Sequence, residues 1–164
     1  MQYLKISAGI LLAISVSRLI PHPPNFTSLI AISFYIPAIF GYRYIAPVIF
    51  AFGITDLILG FHSVILFTWG SIILIGIISK YFSSTLTSRF LGVLTGAVIF
   101  FVTTNFGVWL IGSYGYTISG LLTCYVLAIP FFTNTVISAI FYAIIIEIIL
   151  SIFQRSFKKN TILK

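Results

Sequence analysis

Only two carboxylates occur in this chain, and both stand inside apolar runs. Asp56 lies in Thr55-Asp56-Leu57-Ile58-Leu59-Gly60, and Glu147 lies in Ile144-Ile145-Ile146-Glu147-Ile148-Ile149. An ionisable group inside a membrane segment is costly to insert, so it marks a pairing or functional site. Two readings of Asp56 stay open. It pairs with Arg18 and joins two helices, as polar groups commonly do between spans, or one or both of these residues face a ligand pocket. For Glu147 the plainer reading is snorkelling or pairing with a cation such as Lys5 or Arg155; proton coupling would need a pathway. His22 and His62 fall in turns without a third ligand, which makes a poor metal site. They read as interfacial loop residues, with ligand contact as the alternative, and no metal or cofactor is expected.

The elements that must hold these groups follow from composition. Hydrophobic residues make up 60% of the 164 residues and charged residues 7%, and mean hydropathy is +1.18. Soluble domains carry about 25% charged residues. The expectation is one integral membrane domain over 1–164, all-α, crossing six times. The expected spans are 3–20, 28–40, 45–60, 64–80, 90–104 and 135–153. The second run, Ser28 to Phe40, holds thirteen residues and Pro37. At 1.5 Å per residue it reaches only ~20 Å, so it should borrow flanking residues or kink. Ser15-Val16-Ser17 loosely mimics a leader cleavage site, but Arg18 directly after the run and the spans behind it favour a retained first helix.

Cations set the orientation. With the N-terminus in the cytoplasm, the inner side holds Lys5, Arg43, Lys80, Arg89, Arg155, Lys158, Lys159 and Lys164, and the outer side holds Arg18 alone. This is a strong positive-inside pattern, with both termini cytoplasmic. The net charge of +7 therefore sets topology and touches lipid headgroups. No basic face with interleaved aromatics suggests nucleic acid. The segment 105–134 would move the tail outside if it crossed, so it is expected to be a re-entrant or interfacial helix in the last outer loop. Such backbone is tolerated at membrane depth only under protein cover or beside a cavity. Asn134 is expected to cap the last helix.

The outer loops gather Asn25, Phe26, Phe61, Asn105, Phe106, Trp109, Tyr114, Tyr116 and Tyr125. They read either as an interfacial aromatic belt or as walls for a planar, polar organic ligand; Asn105 and Trp109 are the stronger candidates. Gly9, Ala13 and Ser17 share one face of the first helix, where small residues permit close packing within the chain or docking on a partner subunit. The single Cys124 excludes an intrachain disulfide and a cysteine-cluster metal site. The sequence has no phosphate-binding G-x-x-x-x-G-K-[ST] loop, no H-E-x-x-H and no G-x-S-x-G. The chain is therefore not expected to be an enzyme, although a lipid-directed activity with Asp56 or Glu147 as base is a third possibility.

Five stretches carry a resemblance: Arg18 through Thr27 (Arg-Leu-Ile-Pro-His-Pro-Pro-Asn-Phe-Thr), Phe40-Gly41, Asp56 to Gly60, Thr104 to Trp109 (Thr-Asn-Phe-Gly-Val-Trp) and Pro130 to Asn134 (Pro-Phe-Phe-Thr-Asn). Over nearly the whole chain they resemble a bacterial family of small, uncharacterised membrane proteins assigned transport by description alone. That family is similar in turn to the substrate-binding S components of energy-coupling factor (ECF) vitamin transporters. The second likeness rests on six helices, an inside N-terminus, a glycine turn after the second span and an acidic-apolar-glycine end to the third. It implies a bacterial cytoplasmic-membrane protein with a vitamin or cofactor precursor held near the outer face. The loops after spans one, three and five would hold it, where Asn25, His62, Asn105 and Trp109 stand, with Arg18 and Asp56 below. It also implies docking on an ECF-type energising module through the first helix, at Gly9 and Ala13, and release by toppling in the bilayer; some S-like proteins work alone. Cobalamin-binding relatives can use a cysteine, but no such motif surrounds Cys124. The alternative is a structural or assembly subunit of a membrane complex with no small-molecule ligand.

Overall fold

The computed structural model describes the backbone of residues 1–162 and side chains through Phe153. Arg155, Lys158, Lys159 and Lys164, which counted towards the cationic side, lie outside the described side chains. Seven α-helices make up the described chain: α1 (Gln2–Leu19), α2 (Leu29–Phe40), α3 (Ile45–Leu59), α4 (Ile65–Ile78), α5 (Leu86–Leu110), α6 (Ile118–Leu127) and α7 (Ile129–Ile162). Short 3-10 turns, Tyr42–Tyr44 and Ser79–Phe82, lead into α3 and out of α4. The described residues contain no strand.

Among the described residues, four helical stretches are long and apolar enough to cross a membrane: Tyr42–Leu59, Ile65–Phe82, Leu86–Leu110 and Ile129–Phe153. Only 17% to 33% of each is buried. A water-soluble bundle hides its apolar stripe, whereas here residues such as Phe50, Leu66, Leu122 and Ile148 stand exposed. Two shorter apolar helices, α2 and α6, fall below spanning length. α1 is 18 residues long but is diluted by Gln2, Lys5, Ser7, Ser15, Ser17 and Arg18.

α2 is as short as its sequence suggests. It borrows no flanking residues. It spans 12 residues, and Leu29 through Tyr35 and Pro37 are all buried. A helix apolar on every side belongs in a core, and α2 is packed by α4, α5 and α7. Pro37 sits in its last turn, and Gly41, at φ 94°, ends it. A positive φ of this kind suits glycine, which has no Cβ to clash. Gly92 on α5 gives Phe34 and Phe82 their space, because a Cβ there would overlap the Phe34 ring and the Phe82 Cβ.

Successive helices turn at two ends. At one end Tyr3 Oη donates to the Arg43 carbonyl (3.5 Å) and Tyr42 Oη to that of Ile77 (3.1 Å). Lys5, Arg43, Lys80 and Arg89 fall on this basic end. The opposite, aromatic end carries the connections 20–28, 60–64 and 111–117. α1 packs mainly on α3, α4 on α5, and α7 on α5.

Two expected boundaries are corrected. α7 begins at Ile129 rather than near 135, because Pro130 falls in its first turn, where a missing N–H costs nothing. Asn134 is therefore inside the helix and not its cap; its Nδ2 donates to the Pro24 carbonyl (3.0 Å). α5 runs well beyond the expected 90–104 at both ends. It starts where the Thr85 hydroxyl accepts from the Ser88 N–H (3.1 Å), a side-chain N-cap.

Candidate functional site

At the aromatic end lies a cavity of about 510 Å³, within the usual size range of small-molecule sites. It is bounded by the connections after α1, α3 and α5 together with α6 and the start of α7. Of the six residues proposed to bind substrate, four line it: Arg18, Asn25, His62 and Asn105. His22 lines it as well.

Arg18 forms the floor. Its Nη2 is 2.8 Å from Asp56 Oδ1. Its Nη1 donates to the Phe52 carbonyl (3.2 Å) and to the Thr55 hydroxyl. The guanidinium carbon stands 4.3 Å from the centre of the Phe52 ring, a cation–π geometry. Asp56 does not line the cavity. Its side chain is 1% exposed, behind Arg18, and its Oδ2 accepts from the Trp69 indole N–H (2.9 Å). Oδ1 has no donor on a hydrogen-bond line, so its contact with Arg18 is chiefly one of charge. The two open readings thus divide: Arg18 pairs with Asp56 and also meets the cavity, while Asp56 only pairs.

The connection 20–28 closes one side. The Ser17 and Ser28 hydroxyls are 2.7 Å apart and tie α1 to the start of α2. Asn25 holds a left-handed backbone, φ 63°, which asparagine tolerates better than most residues. Its carbonyl accepts from Ser138 (3.3 Å), and with the Asn134 bond this pins the loop to α7. His22 lies against the carbonyls of Pro23 (2.7 Å) and Arg18 (3.3 Å). His62 Nε2 is 3.5 Å from the Thr68 hydroxyl.

The far wall is aromatic. Phe100, Phe101, Phe131 and Phe132 line it, with the Phe101 and Phe132 ring centres 4.5 Å apart. Asn105 Nδ2 gives one N–H to the Phe101 carbonyl (2.7 Å), which leaves its second N–H and its amide oxygen to offer. Trp109, expected in the site, does not line the cavity. Its indole N–H donates to the Thr117 carbonyl (3.1 Å) and clips the α5–α6 connection shut. Thr117 in turn caps α6 by accepting from the Gly120 N–H (3.0 Å). Cys124, given no role from the sequence, is buried and lines the cavity; its thiol donates to the Asn105 carbonyl (3.3 Å). The described residues bring no three His, Cys, Asp or Glu side chains together as a metal site.

The basic end holds a second ion pair, in which Glu147 pairs with a cation of that end as expected, the cation being Arg89. Arg89 grips Glu147 with two nitrogens, Nε to Oε1 (2.5 Å) and Nη2 to Oε2 (2.9 Å). Tyr35 on α2 donates to Oε1 (2.7 Å). Lys5 is not involved. Both charges border a cavity of about 660 Å³. The early start of α5 draws Arg89 into the helix's first turn, within reach of α7. On the flank, Gly9, Ala13 and Ser17 of α1 line an apolar groove of about 770 Å³ shared with α2 and α7.

Fold and site together define an all-helical bundle, among the described residues, with four helical stretches long and apolar enough to span a membrane and a partly open polar–aromatic cavity at one end. The chain belongs to a family of unknown function, DUF6580, whose model matches residues 2–160. No curated protein and no solved structure matches it.

Proposed function

We propose that this chain is a substrate-binding membrane protein for micronutrient uptake, built like an S component of an ECF vitamin transporter. In this reading the aromatic end faces outside and the basic end faces the cytoplasm of a bacterium. α1 and the central α2 join the four long helices in six crossings, and α6 lies in the outer interface as a lid. The observation that carries the reading is the convergence of Arg18, Asn25, His62 and Asn105 on one ligand-sized cavity. Two connections distant in sequence supply Asn25 and His62, and the helices α1 and α5 supply Arg18 and Asn105. Trp109 and Asp56 act one step back, holding the lid and the floor.

The mechanism follows from these parts. A vitamin or cofactor precursor settles between the aromatic wall and the amides. The α5–α6 connection, clipped by Trp109, covers it. The Arg18–Asp56–Trp69 cluster keeps α1, α3 and α4 fixed beneath. Thermal-shift screening of purified protein against vitamins, nucleobases and cofactor precursors tests this. A ligand at one hundred times its Kd should stabilise the fold by about 2.7 kcal/mol through mass action. If no compound of these classes raises the melting temperature, the uptake reading fails.

A second reading has one observation in its favour. The small-residue face of α1 opens onto the flank groove, and a Cβ at Gly9 would meet nothing within 4 Å. This suits close approach of a partner helix, either an energising module or the other subunits of a complex. A stable complex purified without any small molecule would favour the assembly role.

A further inference from the structure

The charge of the ligand can be read from the cavity at the aromatic end. Among the described residues, Arg18 is the one Lys, Arg, Asp or Glu side chain in its lining. The carboxylate that balances it is hidden, with Asp56 1% exposed against 14% for Arg18. The chain's other acid, Glu147, is spent on Arg89 at the opposite end. The cavity therefore presents the positive side of a neutral pair and has no carboxylate to offer. A cation entering it would lose water without gaining a counter-charge, which is costly. An anion would meet a guanidinium whose Nε takes no part in the bonds to Phe52, Thr55 and Asp56. Imidazoles from His22 and His62 stand on the same lining. Guanidinium forks bind planar carboxylates well. Phe101 and Phe132 both line the cavity, and an aromatic lining favours stacked or edge-on aromatic partners.

We propose that this cavity takes an aromatic or heteroaromatic carboxylate, its carboxylate at Arg18 and its ring against Phe101 and Phe132. The proposal rests on the cavity being a ligand site and adds the ligand's charge and shape. The basic-end cavity is different, because Arg89 and Glu147 both line it and cancel.

Cys124 supplies the test, since it is the single cysteine and lines the same cavity. Its modification by neutral methyl methanethiosulfonate is followed by intact mass on folded, purified protein. Three indoles compete: indole-3-acetate (anionic), indole-3-acetamide (neutral) and tryptamine (cationic). The acetate should slow modification at about tenfold lower concentration than tryptamine, a difference of ~1.4 kcal/mol, with the acetamide between. In the paired variant Arg18→Met/Asp56→Leu, which leaves no charge uncompensated, that preference should vanish. Tryptamine protecting as well as the acetate overturns the proposal. So does absence of protection by all three while the reagent still modifies Cys124. A preference that persists in the paired variant removes Arg18 from its role. If the reagent modifies Cys124 only after unfolding, the cavity is not an accessible site, and the uptake reading fails together with its refinement.

Discussion

The two ends of this molecule use the same parts for different ends. Each holds an arginine, a carboxylate and an aromatic donor drawn from three helices. Arg18, Asp56 and Trp69 tie α1, α3 and α4; Arg89, Glu147 and Tyr35 tie α5, α7 and α2. The two clusters share no helix, so together they cross-link six of the seven. They differ in what they show their cavities. At the basic end both charges are visible and cancel. At the aromatic end the carboxylate is sunk behind its partner, and only the cation is presented. The same kind of ion pair is thus a plain clamp in one place and the floor of a cavity in the other, and the difference is one of depth.

Removing one partner exposes that difference most strongly. Arg18→Met leaves Asp56 buried with only the Trp69 N–H, and should cost about 3–5 kcal/mol. Arg89→Met leaves Glu147 with the Tyr35 hydroxyl and 15% exposure, and should cost less, on the order of 2–3 kcal/mol. Melting temperatures in the same detergent check the order. Equal losses would mean that depth does not separate the pairs.

The aromatic donors sharpen the comparison at lower cost. Trp69→Phe and Tyr35→Phe each remove a hydrogen bond to a charged group, worth about 1.5–3 kcal/mol. Trp69→Phe should also weaken ligand binding by loosening the floor, whereas Tyr35→Phe should leave binding intact. A binding defect in Tyr35→Phe would dissolve the distinction between clamp and floor.

The smallest expected effect concerns the loop wall. Asn134→Ala removes one bond to the Pro24 carbonyl and should cost roughly 1 kcal/mol. The loss should be confined to the aromatic end, with faster hydrogen exchange over 20–28 and no change over 79–89. Equal exchange at both ends would mean that the loop is not pinned there.

Much of this contrast was legible in the sequence. With two acids in the chain and Arg18 at the matching depth, the Arg18–Asp56 pair had little competition. Asn25, His62 and Asn105 could be grouped because alternating helices bring every second connection to the same end. Trp69 was missed, although Asp56 lies six residues before His62 and Trp69 seven after it, which puts them level across one hairpin. Arg89 was missed as the partner of Glu147 because the start of α5 was set at 90. The Thr85-Leu86-Thr87-Ser88 capping pattern would have moved it back. Pro130 would likewise have opened α7 at 129 and freed Asn134 to face the loop. The role of Trp109 had no local signal, since it depends on where the α5–α6 connection returns. The centrality of α2 was hidden for a similar reason: its short, apolar sequence fits a kinked span as well as a core helix, and only its neighbours decide.

Sidedness is tested most directly by thiol labelling of intact cells with a membrane-impermeant maleimide, in a Cys124→Ala background. His62→Cys at the aromatic end should react from the medium, and Lys80→Cys at the basic end should react only after the cells are opened. Labelling of Lys80→Cys in intact cells, with His62→Cys protected, would turn the cavity towards the cytoplasm and contradict uptake from outside.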